Sequence, residues 1–153
     1  MHNIHAIIVR GSTIDTPLEN LKSVLLPQGY CLIPVDDSFY LSACGIQPPS
    51  IIENFEFLTP EFKAWLAQAS KAQQLVYIET DYFGGDGGQG ATVFSEGNCT
   101  YGPVFATDGP INDALRILGV SVTGEALDEF DALGLGQQRS TAEWLAFAGS
   151  ALN

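Results

Sequence analysis

The sequence predicts an α+β domain: a mostly antiparallel sheet with a three-strand meander over about residues 74–102, and helices packed on one face. Three observations predict it. Short apolar, β-branched or aromatic runs at 75–80, 90–95 and 99–102 follow one another through brief polar connections, and only antiparallel neighbours can be joined so tightly. Helical stripes opened by a cap residue and a proline lie before and after these runs. No regular βαβα alternation, repeat or low-complexity tract divides the chain, so residues 1–153 read as one α+β domain.

The elements follow in order. Ile4 to Val9 is a buried strand ended by Arg10-Gly11. Thr16-Pro17 carries a helix start, with Thr16 as N-cap and Pro17 at the first helical position; Leu18, Leu21, Val24 and Leu25 would form its stripe. Tyr30 to Val35 is a second strand, which Pro34 places at an edge or a strand end. Asp36-Asp37 caps a short helix running to Cys44, and Gln47 to Ser50 breaks the chain. Thr59-Pro60-Glu61 repeats the cap, proline and acid pattern before Phe62, Trp65, Leu66 and Ala69. After the meander, Asp108-Gly-Pro-Ile111 starts a helix closed by Gly119. A shorter helix spans Glu125 to Leu133, and Ser140-Thr-Ala-Glu143 is a capping box for a terminal helix with Trp144, Leu145 and Phe147.

Charge narrows the function classes. Eighteen acidic residues against six basic ones give a net charge of −12, which repels nucleic-acid backbones and anionic membranes and favours a cationic partner. Three cysteines (Cys31, Cys44 and Cys99) form no CxxC pair and fit a reducing compartment. The N-terminal apolar run is too short and lacks the basic region of a signal peptide. No segment has the roughly 18 apolar residues of a membrane span. The expected location is the cytoplasm.

The segment Glu79 to Gly90 holds three carboxylates and five glycines between two apolar runs. It reads as strand, glycine-rich turn and returning strand, with acidic and aromatic side chains displayed at the tip. Glu79, Asp81 and Asp86 form a candidate oxygen cage for calcium or magnesium, although the spacing matches no EF-hand. The glycines lack the Lys-Ser/Thr of a phosphate loop. His2, at a terminus, and His5, in a strand, would point to opposite faces, and no nucleophile has a recognisable triad context. No catalytic residue, metal or cofactor is assigned. Partner binding fits better: aromatics give contact area, and carboxylates steer a basic protein. The candidate contact set is Glu79, Asp81, Tyr82, Phe83 and Asp86. A second acidic cluster, Glu125, Asp128, Glu129 and Asp131, reads as helix-dipole placement, with Arg139 as a local ion-pair partner.

The segments Tyr77-Ile-Glu79, Tyr82-Phe-Gly-Gly85, Gln89-Gly-Ala91, Gly109-Pro-Ile-Asn112 and Asp128-Glu-Phe-Asp-Ala-Leu-Gly134 resemble small uncharacterised bacterial cytosolic proteins. Some of these are encoded beside polymorphic toxins and are regarded as immunity proteins. The resemblance covers roughly residues 75–145 and carries no active site. It implies an immunity-like protein that neutralises a basic toxin. Two alternatives stay open: a small metal-dependent or carboxylate-using enzyme, and a homodimer built on the exposed aromatic edge.

Overall fold

A computed structural model describes residues 2–11, 22–46, 51–52, 54–84 and 86–151, with the side chains of 149–151 not described. Six strands form one antiparallel sheet in the order β2-β3-β1-β4-β5-β6: β1 (His5–Arg10), β2 (Val24–Leu26), β3 (Tyr30–Pro34), β4 (Leu75–Phe83), β5 (Asp86–Ser95) and β6 (Asn98–Ala106). The helices are α1 (Asp37–Cys44), α2 (Pro60–Ala69), α3 (Pro110–Leu118), α4 (Glu129–Ala132) and α5 (Thr141–Ala151). The α+β class and the meander β4-β5-β6 stand as expected. Strand β1 lies at the centre, pairing with β3 on one side and β4 on the other.

Helices cover both faces of this sheet, not one. Ile4, Ala6, Ile8, Leu32, Val76 and Ile78 pack against α3, α5 and Leu133–Leu135. Ile7, Val9, Ile33, Leu75 and Tyr77 pack against α1, α2 and the segment Phe55–Leu58. The reason lies in the strands. Every residue of β3, and the first five of β1, are buried, so successive side chains on opposite faces both need an apolar cover.

Local chemistry sets the helix ends. Asp36 accepts a hydrogen bond from the Phe39 N–H, and Thr59 accepts one from the Phe62 N–H, each satisfying a donor of the first turn. Gly119 closes α3 with φ of 105°, a left-handed value that glycine adopts without a Cβ clash. The β5–β6 turn is Glu96-Gly97, both at positive φ, which suits a two-residue hairpin.

Three expectations shift. The helical stripe from Thr16 falls partly on residues 12–21, outside the described residues, while Val24 and Leu25 belong to strand β2. The helix expected over Glu125–Leu133 contracts to the single turn of α4, with Asp128 as its N-cap. Strand β6 runs on to Ala106, past Gly102. The break at Gln47–Ser50 lies outside the described residues.

Candidate partner-binding site

The glycine-rich segment is mostly strand. Pairing of β4 with β5 continues through Thr80 opposite Gln89, Asp81 opposite Gly88 and Phe83 opposite Asp86. Strand pairing ends at Phe83, and Gly84 beyond it has φ of 60°. Gly88 and Gly90 serve close packing instead of a wide loop. A Cβ on Gly90 would lie 2.5 Å from the Phe55 ring and 2.8 Å from the Phe105 ring, and one on Gly88 would lie 2.6 Å from Phe105. The two rings meet edge to face at 5.6 Å and cover the strand where side chains are missing.

Alternation along β4 places Asp81 and Phe83 on one face, and the cross-strand register adds Asp86 to them. Asp81 and Asp86 are exposed, and Phe83 is 73% exposed. Among the described residues neither carboxylate forms an ion pair. Tyr82 projects to the opposite face, half-buried, where its hydroxyl donates to the Thr107 carbonyl and accepts from Gln89 Nε2.

Glu79 leaves the contact set. It is only 3% exposed, and three donors hold its carboxylate: the Glu56 N–H at 2.6 Å, the Phe57 N–H at 2.9 Å and the Tyr77 hydroxyl at 2.6 Å. Burial pushes its pKa up from the ordinary carboxyl value, while the Tyr77 hydroxyl and the two backbone N–H groups pull against it. Burial, together with the neighbouring Glu79 charge, also raises the Tyr77 phenol well above its usual range. The candidate cation cage therefore does not assemble: Glu79 is spent beneath the surface. Among the described residues no group of three or more His, Cys, Asp or Glu side chains is placed to hold a metal ion.

The two histidines do lie on opposite faces, but neither is frayed or idle. His5 is buried; its Nε2 lies 2.7 Å from Glu56 Oε2 and its Nδ1 lies 3.1 Å from Thr141 Oγ1. Thr141 Oγ1 also accepts from the His5 backbone N–H, so this network ties β1 to the start of α5. His2 is bridged to Tyr82 through both backbone hydrogen bonds, and its Nδ1 lies 2.7 Å from Thr80 Oγ1. Its Nε2 is buried without a hydrogen bond among the described residues. Burial lowers the pKa of His2, although the nearby Leu135 carbonyl favours protonation.

His2, Thr80 and Tyr82 form one wall of a cleft of about 300 Å³ behind the hairpin. Gln89, Asp108, Asn112, Asp128 and Phe130 complete it. The sequence reading did not assemble this cleft, because its residues are up to 128 positions apart in the numbering. In the acidic cluster nearby, Glu129 is buried and pairs with Arg116 at 3.0 Å. Arg116, not Arg139, is thus the cation that neutralises it.

Comparison with protein-family models, curated proteins and solved structures finds no match. The functional reading rests on the site's own geometry.

Proposed function

We propose that this is a binding protein of immunity type, which captures and neutralises a basic protein through the end of the β4–β5 hairpin. The observation that carries the reading is Phe83, 73% exposed, standing on the same strand face as exposed Asp81 and Asp86. A large apolar side chain in water gains by being covered. Two carboxylates beside it select a cationic surface and speed its approach. The net charge of −12 extends that attraction over the whole molecule. Glu79 acts from below, pinning Glu56 and Phe57 to the sheet.

The test is affinity capture of a basic protein from the native host, followed by titration of the purified pair. The complex should weaken steeply as salt is raised. Phe83→Ala should weaken it about tenfold or more, as expected of a central contact. The double variant Asp81→Lys with Asp86→Lys should abolish it. If that variant folds and binds its partner as tightly as the parent, the hairpin end is not the interface.

A further inference from the structure

We infer that the cleft behind the hairpin receives a guanidinium group, supplied by an arginine side chain of the basic partner. This rests on the reading of the hairpin end as a binding surface and adds what that partner must present. Gln89 Oε1 accepts from the Ile111 N–H at 2.9 Å, which turns the Gln89 amide nitrogen toward the Tyr82 hydroxyl. Asn112 Oδ1 accepts from the Phe130 N–H at 2.9 Å, which turns its amide nitrogen toward Asp128 Oδ2 at 3.3 Å. The Tyr82 hydroxyl spends its hydrogen on the Thr107 carbonyl.

The carboxylates hold the unused accepting capacity of the cleft, while Gln89 Nε2 and Asn112 Nδ2 each keep a second N–H. Asp128 takes one hydrogen bond at each oxygen, from the Asp131 N–H and from Asn112, and an ionised carboxylate has further lone-pair sites to offer. Asp108 is exposed at the cleft and forms no ion pair among the described residues. Among the described residues no lysine or arginine is part of the lining. A phosphate or carboxylate would meet two like charges, and is rejected. A cationic donor meets what it needs.

Shape then selects guanidinium over ammonium. The Phe130 and His2 rings, 5.6 Å apart between centroids and tilted by 58°, both line the cleft. A planar guanidinium stacks on one such ring face while its N–H groups reach separate acceptors. A volume of about 300 Å³ suits one long side chain and not a helix or strand. Tyr82 joins the two regions: it lines the cleft, while its sequence neighbours Asp81 and Phe83 occupy the other face of the hairpin. One partner can grip both sides of the hairpin end.

The probe is Nα-acetyl-arginine amide, titrated into the full chain and followed by amide chemical shifts. Saturable shifts at Gln89, Asn112 and Phe130 are expected, with Nα-acetyl-lysine amide binding about fivefold or more weaker. Asp108→Asn, an exposed change that touches no cap, should weaken the arginine probe about fivefold or more. Phe130→Leu, which keeps an apolar wall, should weaken it as well. Absence of saturable shifts in the cleft, or equal affinity for the two probes, would overturn the inference. The hairpin variant Asp81→Lys with Asp86→Lys separates the two readings. If it abolishes partner capture while the probe fails to bind wild-type protein, only the cleft assignment falls. If partner capture survives it and the probe binds the cleft, the hairpin reading falls and the guanidinium site stands.

Discussion

The Phe57 N–H donates to Glu79 Oε2 at 2.9 Å, and this bond, with its neighbour from the Glu56 N–H, holds an irregular segment flat against the sheet. Phe57 stacks edge-on against His5, 4.8 Å between ring centroids, and His5 reaches Glu56. A single buried carboxylate thus organises the cover of the sheet face that carries Tyr77 and Phe94.

Replacing Glu79 by Gln should therefore destabilise the fold. The amide keeps the shape but points two hydrogens toward a site that supplies only donors, and a buried donor left unpaired costs about 1–3 kcal/mol. Urea denaturation at neutral pH measures this. The pH dependence has a definite sign. Because burial raises the pKa of Glu79 in the folded state, the folded protein binds that proton more tightly than the unfolded chain. The stabilising contribution of Glu79 is then fully present below the ordinary carboxyl pKa and is lost as pH rises through the folded value. The stability gap between parent and Glu79→Gln should widen as pH is lowered from about 7.5 to about 5. A gap that narrows would mean that the three donors outweigh burial and that the group titrates low.

Gly90→Ala tests the claim that the glycines are packing residues. Its Cβ would fall 2.5 Å from two carbons of the Phe55 ring, a distance that forces the ring to move. Overpacking of this kind costs about 1–3 kcal/mol. The same substitution placed in a Phe55→Leu background should cost less than in the parent, since the two residues share one contact. Additive thermal-denaturation values for the pair would show that Phe55 is not the obstacle.

Much of this architecture was legible because it depends on local rules. Thr59, Asp36, Gly109 and Gly119 marked helix ends through caps, prolines and glycines, and Glu96-Gly97 marked a hairpin. What escaped depends on partners distant in sequence. Glu79 looks in sequence like one more acid at a tip, and only the register with His5 and the return of Glu56 and Phe57 bury it. Gly88 and Gly90 suggest a loop until Phe55 and Phe105 are seen to occupy the space above them. The second helical layer had left a trace in the unbroken apolar runs of β1 and β3. An alternating strand would have needed only one cover.

The three cysteines should separate cleanly by reactivity. Cys31 is fully buried and burial pushes its thiol up. Cys44 is half-buried, and burial with the nearby Glu61 charge pushes its thiol up to about 11. Thiolate is the reacting species, so Cys44 would be only about one-thousandth ionised at a pH near 8. Cys99 is exposed. Titration with a disulfide reagent near pH 8 should show one fast thiol, one slow thiol and one released only by denaturant. Mass spectrometry should place the fast adduct on Cys99; an adduct found first on Cys44 would contradict the packing of α1 against α2.

Neighbouring residues of the hairpin should respond oppositely when the fold alone is measured. Phe83 is 73% exposed, so Phe83→Ser removes little that folding had buried and should leave unfolding free energy within about 0.5 kcal/mol of the parent. Asp81→Lys and Asp86→Lys should behave the same way, since neither carboxylate forms an ion pair among the described residues. Tyr82→Phe removes only one oxygen, yet that oxygen joins the Thr107 carbonyl to the Gln89 amide. Its loss should cost about 1 kcal/mol, the usual net value of a hydrogen bond. Side chains that matter to the fold no more than Phe83 are free to be chosen by a partner, whereas Tyr82 serves the fold as well. A loss of several kcal/mol from Phe83→Ser would mean that the ring is packed against the molecule itself and is not available for binding.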